Sequence, residues 1–198
     1  MTKEYFGRRF FIADTHFGSD NIIRYENRPF DSSAEMDKTL INNWNKTVNN
    51  GDTVFVLGDF CESDDEKRIL SKLNGTKILI RGNHDFGTSS FYRKAGFEDV
   101  YDMPVLYDGF FMLSHQPLYV NSNMPYANIF GHVHNNPMFK DYSKQHFCVS
   151  AERINYTRIQ RFSEKLIFQS QNRKDDKNGK PNKSKVNEPR KDAGGFTS

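Results

Sequence analysis

The chain is 198 residues long, with 28 Lys and Arg against 25 Asp and Glu and 36% apolar residues. At roughly 150 residues per domain, that is one packed domain and a remainder. Residues 1–170 hold 68 of the 71 apolar side chains and are nearly neutral, whereas 171–198 hold eight basic groups against four acidic ones and only Val186, Ala193 and Phe196 as apolar residues. This distribution excludes a coiled coil, a collagen-like chain and a wholly disordered protein, and it places the net charge of +3 in a tail instead of on a nucleic-acid-binding face.

Met1 to Arg9 is charged and aromatic and lacks the apolar run of a signal peptide or membrane anchor. Cys61 and Cys148 form no CxxC pair and read as reduced thiols, so the expected compartment is cytoplasmic. The first strand is Phe10 to Ala13, ending at Asp14. Ala34 to Asn50 follows as a helix, with Met36, Leu40, Ile41, Trp44 and Val48 at helical spacing behind a cap at Ser32 or Ser33. Val54 to Leu57 is a strand ending at Gly58-Asp59, Asp64 to Leu73 a helix with Ile69, Leu70 and Leu73 on one face, and Ile78 to Ile80 a strand ending at Arg81-Gly82-Asn83. After an Asp108-Gly109 hairpin turn come strands near 110–114, 128–131 and 146–150, then a helix near Ser163 to Ser170. From Gln171 onward, Lys, Asn, Asp, Pro and Gly dominate, and such a segment cannot offset its ordering entropy. The reading is an α/β protein of alternating strands and helices, with its polar residues just past the carboxyl ends of strands, where open sheets place their ligands.

Five of the six histidines, all but His146, belong to such strand-end groups. Asp14-x-His16 puts two ligand-type side chains on one side of an extended segment, and His132-x-His134 repeats the spacing from another strand. Asp59 offers two oxygens that can bridge two cations, and Asn83 offers a carbonyl oxygen without adding charge.

Taken in order, Asp14-x-His16, Gly58-Asp59, Gly82-Asn83-His84-Asp85, His115 and Gly131-His132-Val133-His134 resemble the calcineurin-like metallophosphoesterases. Ser114-His115-Gln116-Pro117 resembles the family's histidine-x-proline turn, and Asn27-Arg28-Pro29-Phe30 resembles a small bacterial and phage subgroup. The resemblance implies a four-layer α/β/β/α sandwich as a single catalytic domain over 1–170, and the composition of 171–198 makes the remainder a disordered tail. The resemblance further implies two divalent transition-metal ions, with manganese first and iron, zinc or nickel also suited. Asp14, His16, Asp59 and His134 would hold one ion, and Asp59, Asn83, His115 and His132 the other. Two such ions about 3.5–4 Å apart would lower the pKa of a bridging water so that hydroxide attacks phosphorus in line.

His84 would bind the phosphate with Asn83 and protonate the leaving oxygen, with Asp85 fixing its tautomer and Arg28 clamping the phosphate. Phe60-Cys61-Glu62 lacks the Asp-Arg-Gly element of the superfamily's protein phosphatases, which favours a phosphodiesterase acting on a nucleotide-type or other small diester. The alternatives are a phosphomonoesterase or nucleotidase, a nuclease, and a non-catalytic protein-binding scaffold on the same fold. The expected partner is a phosphate ester, with no membrane and with nucleic acid disfavoured by the neutral body.

Overall fold

The structure, a computed structural model, describes residue 5 and residues 7–63, 65–140 and 142–156. The helix expected near 163–170 and the tail from 171 lie outside the described residues.

Two four-stranded sheets form the frame. The first holds β1 (Arg9–Ile12), β2 (Thr53–Val56), β3 (Thr76–Ile80) and β4 (Asp99–Tyr101), all parallel and in sequential order. The crossovers carry α1 (Asp20–Tyr25) and α2 (Ser33–Thr47), then α3 (Glu66–Leu70), then α4 (Ser89–Ala95). Sequential order has a consequence: right-handed crossovers that always step the same way put their helices on one face of the sheet. The packing shows it. Phe10, Ile12, Val54, Val56, Leu79 and Val100 join Met36, Leu40, Trp44, Ile69, Leu70 and Tyr92 of the helices in one core.

The opposite face, with Phe11, Phe55 and Ile78 buried, is left for a second sheet. That sheet is β5 (Val105–Tyr107), β6 (Phe111–Leu113), β7 (Ala127–Phe130) and β8 (His146–Cys148), with β5 and β6 antiparallel and the rest parallel. Tyr107 meets the Phe55 and Phe11 rings at centroid distances of 4.8 and 6.3 Å, so the two sheets pack face to face. The sheets also touch at one seam, where Ala13 pairs with Ser150 and donates its N–H to the carbonyl of Val149. This is the sandwich that the motifs imply.

Most expected elements stand within a few residues of their places. Ser32 is the cap of α2, its hydroxyl accepting from the Glu35 N–H, and Asp108 and Gly109 both adopt positive φ in the β5–β6 turn. The second expected helix is shorter: after Leu70 the chain tightens into turns, with Lys72 N bonding Ile69 O and Leu73 N bonding Leu70 O, which still buries Leu73. Short α1, α4, β4 and β5 are not legible in the hydrophobic pattern, because none presents a long apolar periodicity. Among the described residues no helix is long and apolar enough to cross a membrane.

Candidate metal centre

The loops after β1, β2, β3, β6 and β7 converge at one end of the sandwich, and they bring the expected residues together. Asp14, His16 and His134 place ligand atoms within 4.8 Å of one another, and Asp59, His115 and His132 form a second such group. Asn83 completes the second group: its Oδ1 lies 2.8 Å from His115 Nε2 and 2.9 Å from His132 Nδ1, while those two ring nitrogens are 3.1 Å apart. Asp59 stands between the groups, its Oδ2 being 3.7 Å from His16 Nε2 and 3.4 Å from His115 Nε2. The other oxygen of Asp59 accepts the backbone N–H of His84 at 2.8 Å, which ties the loop after β2 to the loop after β3.

The local backbone is strained where the groups form. Nine described residues other than glycine have positive φ, and five of them are Asp14, His16, Asp59, His132 and His134. Left-handed geometry disfavours any side chain with a Cβ, so a cluster of it marks a place where function outweighs local stability. It also corrects the reading of Asp14-x-His16 and His132-x-His134 as extended segments. In each motif two left-handed residues flank an intervening one, at φ of 56° and 47° in the first and 68° and 45° in the second, and the second motif sends His132 and His134 to different groups. The motif glycines permit the close approach of the loops. A Cβ at Gly82 would collide with the Asp59 carboxylate, and one at Gly131 with Ala13 and the Asp14 carboxylate.

A divalent cation fits these groups on the observed chemistry. His16 Nε2 is buried without a hydrogen-bond partner, while its Nδ1 is held by Glu62 Oε1 at 2.6 Å. Asp14 is fully buried, and burial pushes its carboxyl pKa up despite the nearby His134, His115 and His16. Asp59 behaves otherwise. Burial opposes its charge, yet hydrogen bonds from His115 and the His84 N–H hold it at about 2, and Asp59 and Asp14 in turn bring His115 up to about 9 against its own burial. Buried carboxylates and histidines with one nitrogen committed and the other open form a cation-seeking donor set.

Two expected residues, Arg28 and Asp85, are placed differently from their expected roles, and His84 has a different carboxylate beside it. Arg28 is not open to a phosphate: its side chain is buried, and its guanidinium binds Glu152 Oε1 at 2.5 and 2.8 Å and the carbonyls of Thr15 and Asp14 at 3.0 and 2.7 Å. Asp85 does not bond His84. Its buried carboxylate accepts three backbone N–H groups, from Asp59 at 2.8 Å, Phe60 at 3.1 Å and Gly82 at 2.8 Å, and so fastens the loop after β2 to the loop after β3. His84 itself lies half exposed at the rim, and the carboxylate beside its Nδ1 is that of Glu62, at 3.9 Å.

Glu62 and Glu152 were not singled out as site residues from sequence. Glu62 holds both His16 and Ser19, the latter through a 2.5 Å bond from its hydroxyl, and Glu152 Oε1 lies 3.1 Å from His134 Nδ1. Each lies a few residues past a strand, the rule that located the histidines, but neither belongs to a motif. Glu26, His134 and Glu152 make a third close group. The Arg28 guanidinium already bound to Glu152 makes it an ion-pair network. Cys61 is buried, its thiol raised to about 11 by burial, and His146 is tied to Leu118 O and Ser143 Oγ away from the centre.

An open cleft of about 930 Å³ runs beside His132 and His134. Tyr25, Glu26, Asn27, Gln116, Asn135 and Phe139 are among its walls, and no described residue lining it is Lys or Arg.

Among known proteins, the chain is 38% identical over 157 residues to an uncharacterized protein of Methanocaldococcus jannaschii, covering 74% of this chain and 83% of that one. It is 35% identical over 80 residues, 38% of each chain, to the gene 66 protein of Mycobacterium phage L5. The crystal structure of a protein of unknown function from Aquifex aeolicus is similar with a TM-score of 0.62 at 28% identity, covering 82% of this chain and 98% of that one. The sequence pattern described as calcineurin-like phosphoesterase matches residues 7–185. With that match spanning both sheets and every loop of the centre, the chain belongs to the calcineurin-like phosphoesterases, metal-dependent hydrolases of phosphoesters.

Proposed function

We propose that the protein is a phosphodiesterase, with Asp14, His16, Asp59 and His134 holding one divalent ion and Asp59, Asn83, His115 and His132 the other. Manganese is the proposed metal, and the cytoplasm the proposed compartment. When bound, such ions would polarise the phosphoryl oxygens and make water nucleophilic near neutral pH. The protein's own contribution is positional. Asp85 and the glycines bring the β2 and β3 loops together, Glu62 leaves His16 Nε2 facing Asp59, and the open cleft admits the ester.

His84, half exposed beside Glu62, supplies a proton to the leaving oxygen. The observation that carries the diester reading is that no Lys or Arg is among the described residues lining the cleft. A phosphomonoester dianion calls for arginine or lysine donors, yet the cleft-lining residues include neither, and the charge of Arg28 is neutralised by Glu152. A diester monoanion needs less cationic help, and its poor leaving group makes greater use of the His84 proton.

The test compares kcat/KM for bis-nitrophenyl phosphate and nitrophenyl phosphate with manganese supplied and both metal sites filled. The diester should be favoured. The reverse order would overturn the diesterase reading in favour of a phosphomonoesterase.

A further inference from the structure

Arg28 and Glu152 form a buried ion pair that the reaction outlined above does not use. The side chains are 0% and 4% exposed. Removing both charges from water is expensive, and an apolar pair of similar volume is commonly as stable or more so, so such a pair is best explained by the positions it enforces. What it enforces here is visible atom by atom. Arg28 reaches across to the carbonyls of Asp14 and Thr15, that is, to the backbone of the strained turn that carries Asp14 and His16. Glu152 Oε1 accepts from Arg28 and lies 3.1 Å from His134 Nδ1, while Glu152 Oε2 is buried with no partner. The neighbouring Arg153 grips the same loop, donating to the carbonyls of His134 at 2.8 Å and Asn136 at 2.6 Å. The His16 and His134 rings stack at 5.3 Å with planes 28° apart.

One ion pair therefore connects the loop after β1, which gives Asp14 and His16, to the loop after β7, which gives His134. Among the described residues, the Asp59, His115 and His132 group has no carboxylate hydrogen-bonded to a far ring nitrogen: that of His115 bonds the backbone carbonyl of Leu57 at 2.9 Å, and the link of His132 to the Asp14 turn is through its main-chain N–H, not its ring. A carboxylate on the far nitrogen of an imidazole fixes its tautomer, aims the near nitrogen and strengthens it as a donor, and loss of such partners weakens metal affinity.

We infer that the Arg28–Glu152 pair is the positioning element of the Asp14, His16 and His134 metal group, setting His134 against the Asp14 turn, and that the Asp59, His115 and His132 group does not depend on it. The inference rests on the two-ion reading proposed above, and the experiment separates the two. Metal-stripped protein is dialysed against graded manganese, bound metal per chain is measured by elemental analysis, and folding is followed by circular dichroism. Wild type should take up two ions. Glu152→Gln keeps an oxygen for His134 Nδ1–H but removes the charge. It should retain one ion at unchanged affinity and bind the other roughly 10–100-fold more weakly.

Because Glu152→Gln leaves a buried guanidinium unpaired, the charge-neutral double variant Arg28→Met with Glu152→Gln is measured beside it. It should show the same selective loss while folded. A merely structural pair would not discriminate between the ions. Equal weakening of both, or two ions at unchanged affinity in both variants, would overturn the inference, whereas a wild-type protein that takes up no second ion would overturn the two-ion reading instead.

Discussion

Asp85→Asn is the most informative single substitution, because the structure gives Asp85 a task different from the one its place in the Gly-Asn-His-Asp motif suggests. Its Oδ2 accepts from Asp59 N and Gly82 N, both at 2.8 Å, and its Oδ1 accepts from Phe60 N at 3.1 Å. An asparagine in its better orientation keeps a carbonyl for the first two donors and turns its NH2 onto the third. One charge-assisted bond is then lost, and the other two become neutral. At about 1.5–3 kcal/mol for a hydrogen bond to a charged group, the expected destabilisation is about 2–3 kcal/mol, and water has no entry to the 1%-exposed side chain. For a domain of this size that lowers the Tm by roughly 4–12 °C.

Turnover should fall as well, since the same bonds hold the backbone that carries Asp59 and, through Asp59 Oδ1, the N–H of His84. The loss should be the same for a nitrophenolate leaving group as for an alkoxide. Scanning calorimetry supplies the first number and paired diester kinetics the second. A variant with unchanged Tm and a loss confined to poor leaving groups would refute the argument and return Asp85 to its role as the partner of His84.

Other substitutions test other parts of the site. His84→Ala should keep its metal and lose roughly 10²–10⁴ in rate on substrates with poor leaving groups, with a smaller loss on nitrophenyl esters; equal losses on both would make His84 a positioning group. Asp59→Asn should weaken both ions in a manganese titration, whereas His134→Ala weakens one, and two ions at full affinity in Asp59→Asn would exclude a shared Asp59. Away from the site, the Arg8 guanidinium and the N–H groups of Asn49 and Arg8 hold the Asp52 carboxyl at about 2. Since this group titrates lower in the folded chain than in the unfolded one, its contribution is complete above about pH 4 and is lost as pH falls through 2. Asp52→Asn should therefore cost about 1–2 kcal/mol at neutral pH, allowing for solvent around Arg8, and the gap to wild type in urea titrations should close on acidification. A gap independent of pH would show that the charge of Asp52 contributes nothing.

The histidines and carboxylates of the centre were legible in the sequence because each ends a short apolar run, and a buried strand must deliver its next polar residue to the sheet's edge. Their order, not any one of them, carried the family resemblance. The residues behind them were not legible. Glu62 and Glu152 act through the far nitrogens of His16 and His134, contacts that depend on loop paths without periodicity. Arg28 shows the limit of chemical type as a guide: an arginine near a phosphate site suggests a clamp, and only the buried Glu152 and the carbonyls of Asp14 and Thr15 reveal an internal brace. The second helix shows the same limit on the fold, since its apolar spacing persists through turns that no longer repeat the helical bond.

The seam between the sheets has a kinetic consequence. The backbone N–H of His132 bonds the Asp14 carboxylate across 118 residues of chain, and the neighbouring pairing of Ala13 with Ser150 spans more. Contacts of such separation are formed late, after loop-closure entropy has been met, and neither sheet alone presents a complete ligand group. Metal therefore cannot template the early chain. A bound metal would act as a latch on the finished sandwich, expected to slow unfolding while leaving the refolding rate nearly unchanged, and each opening of the seam would be an occasion for metal exchange.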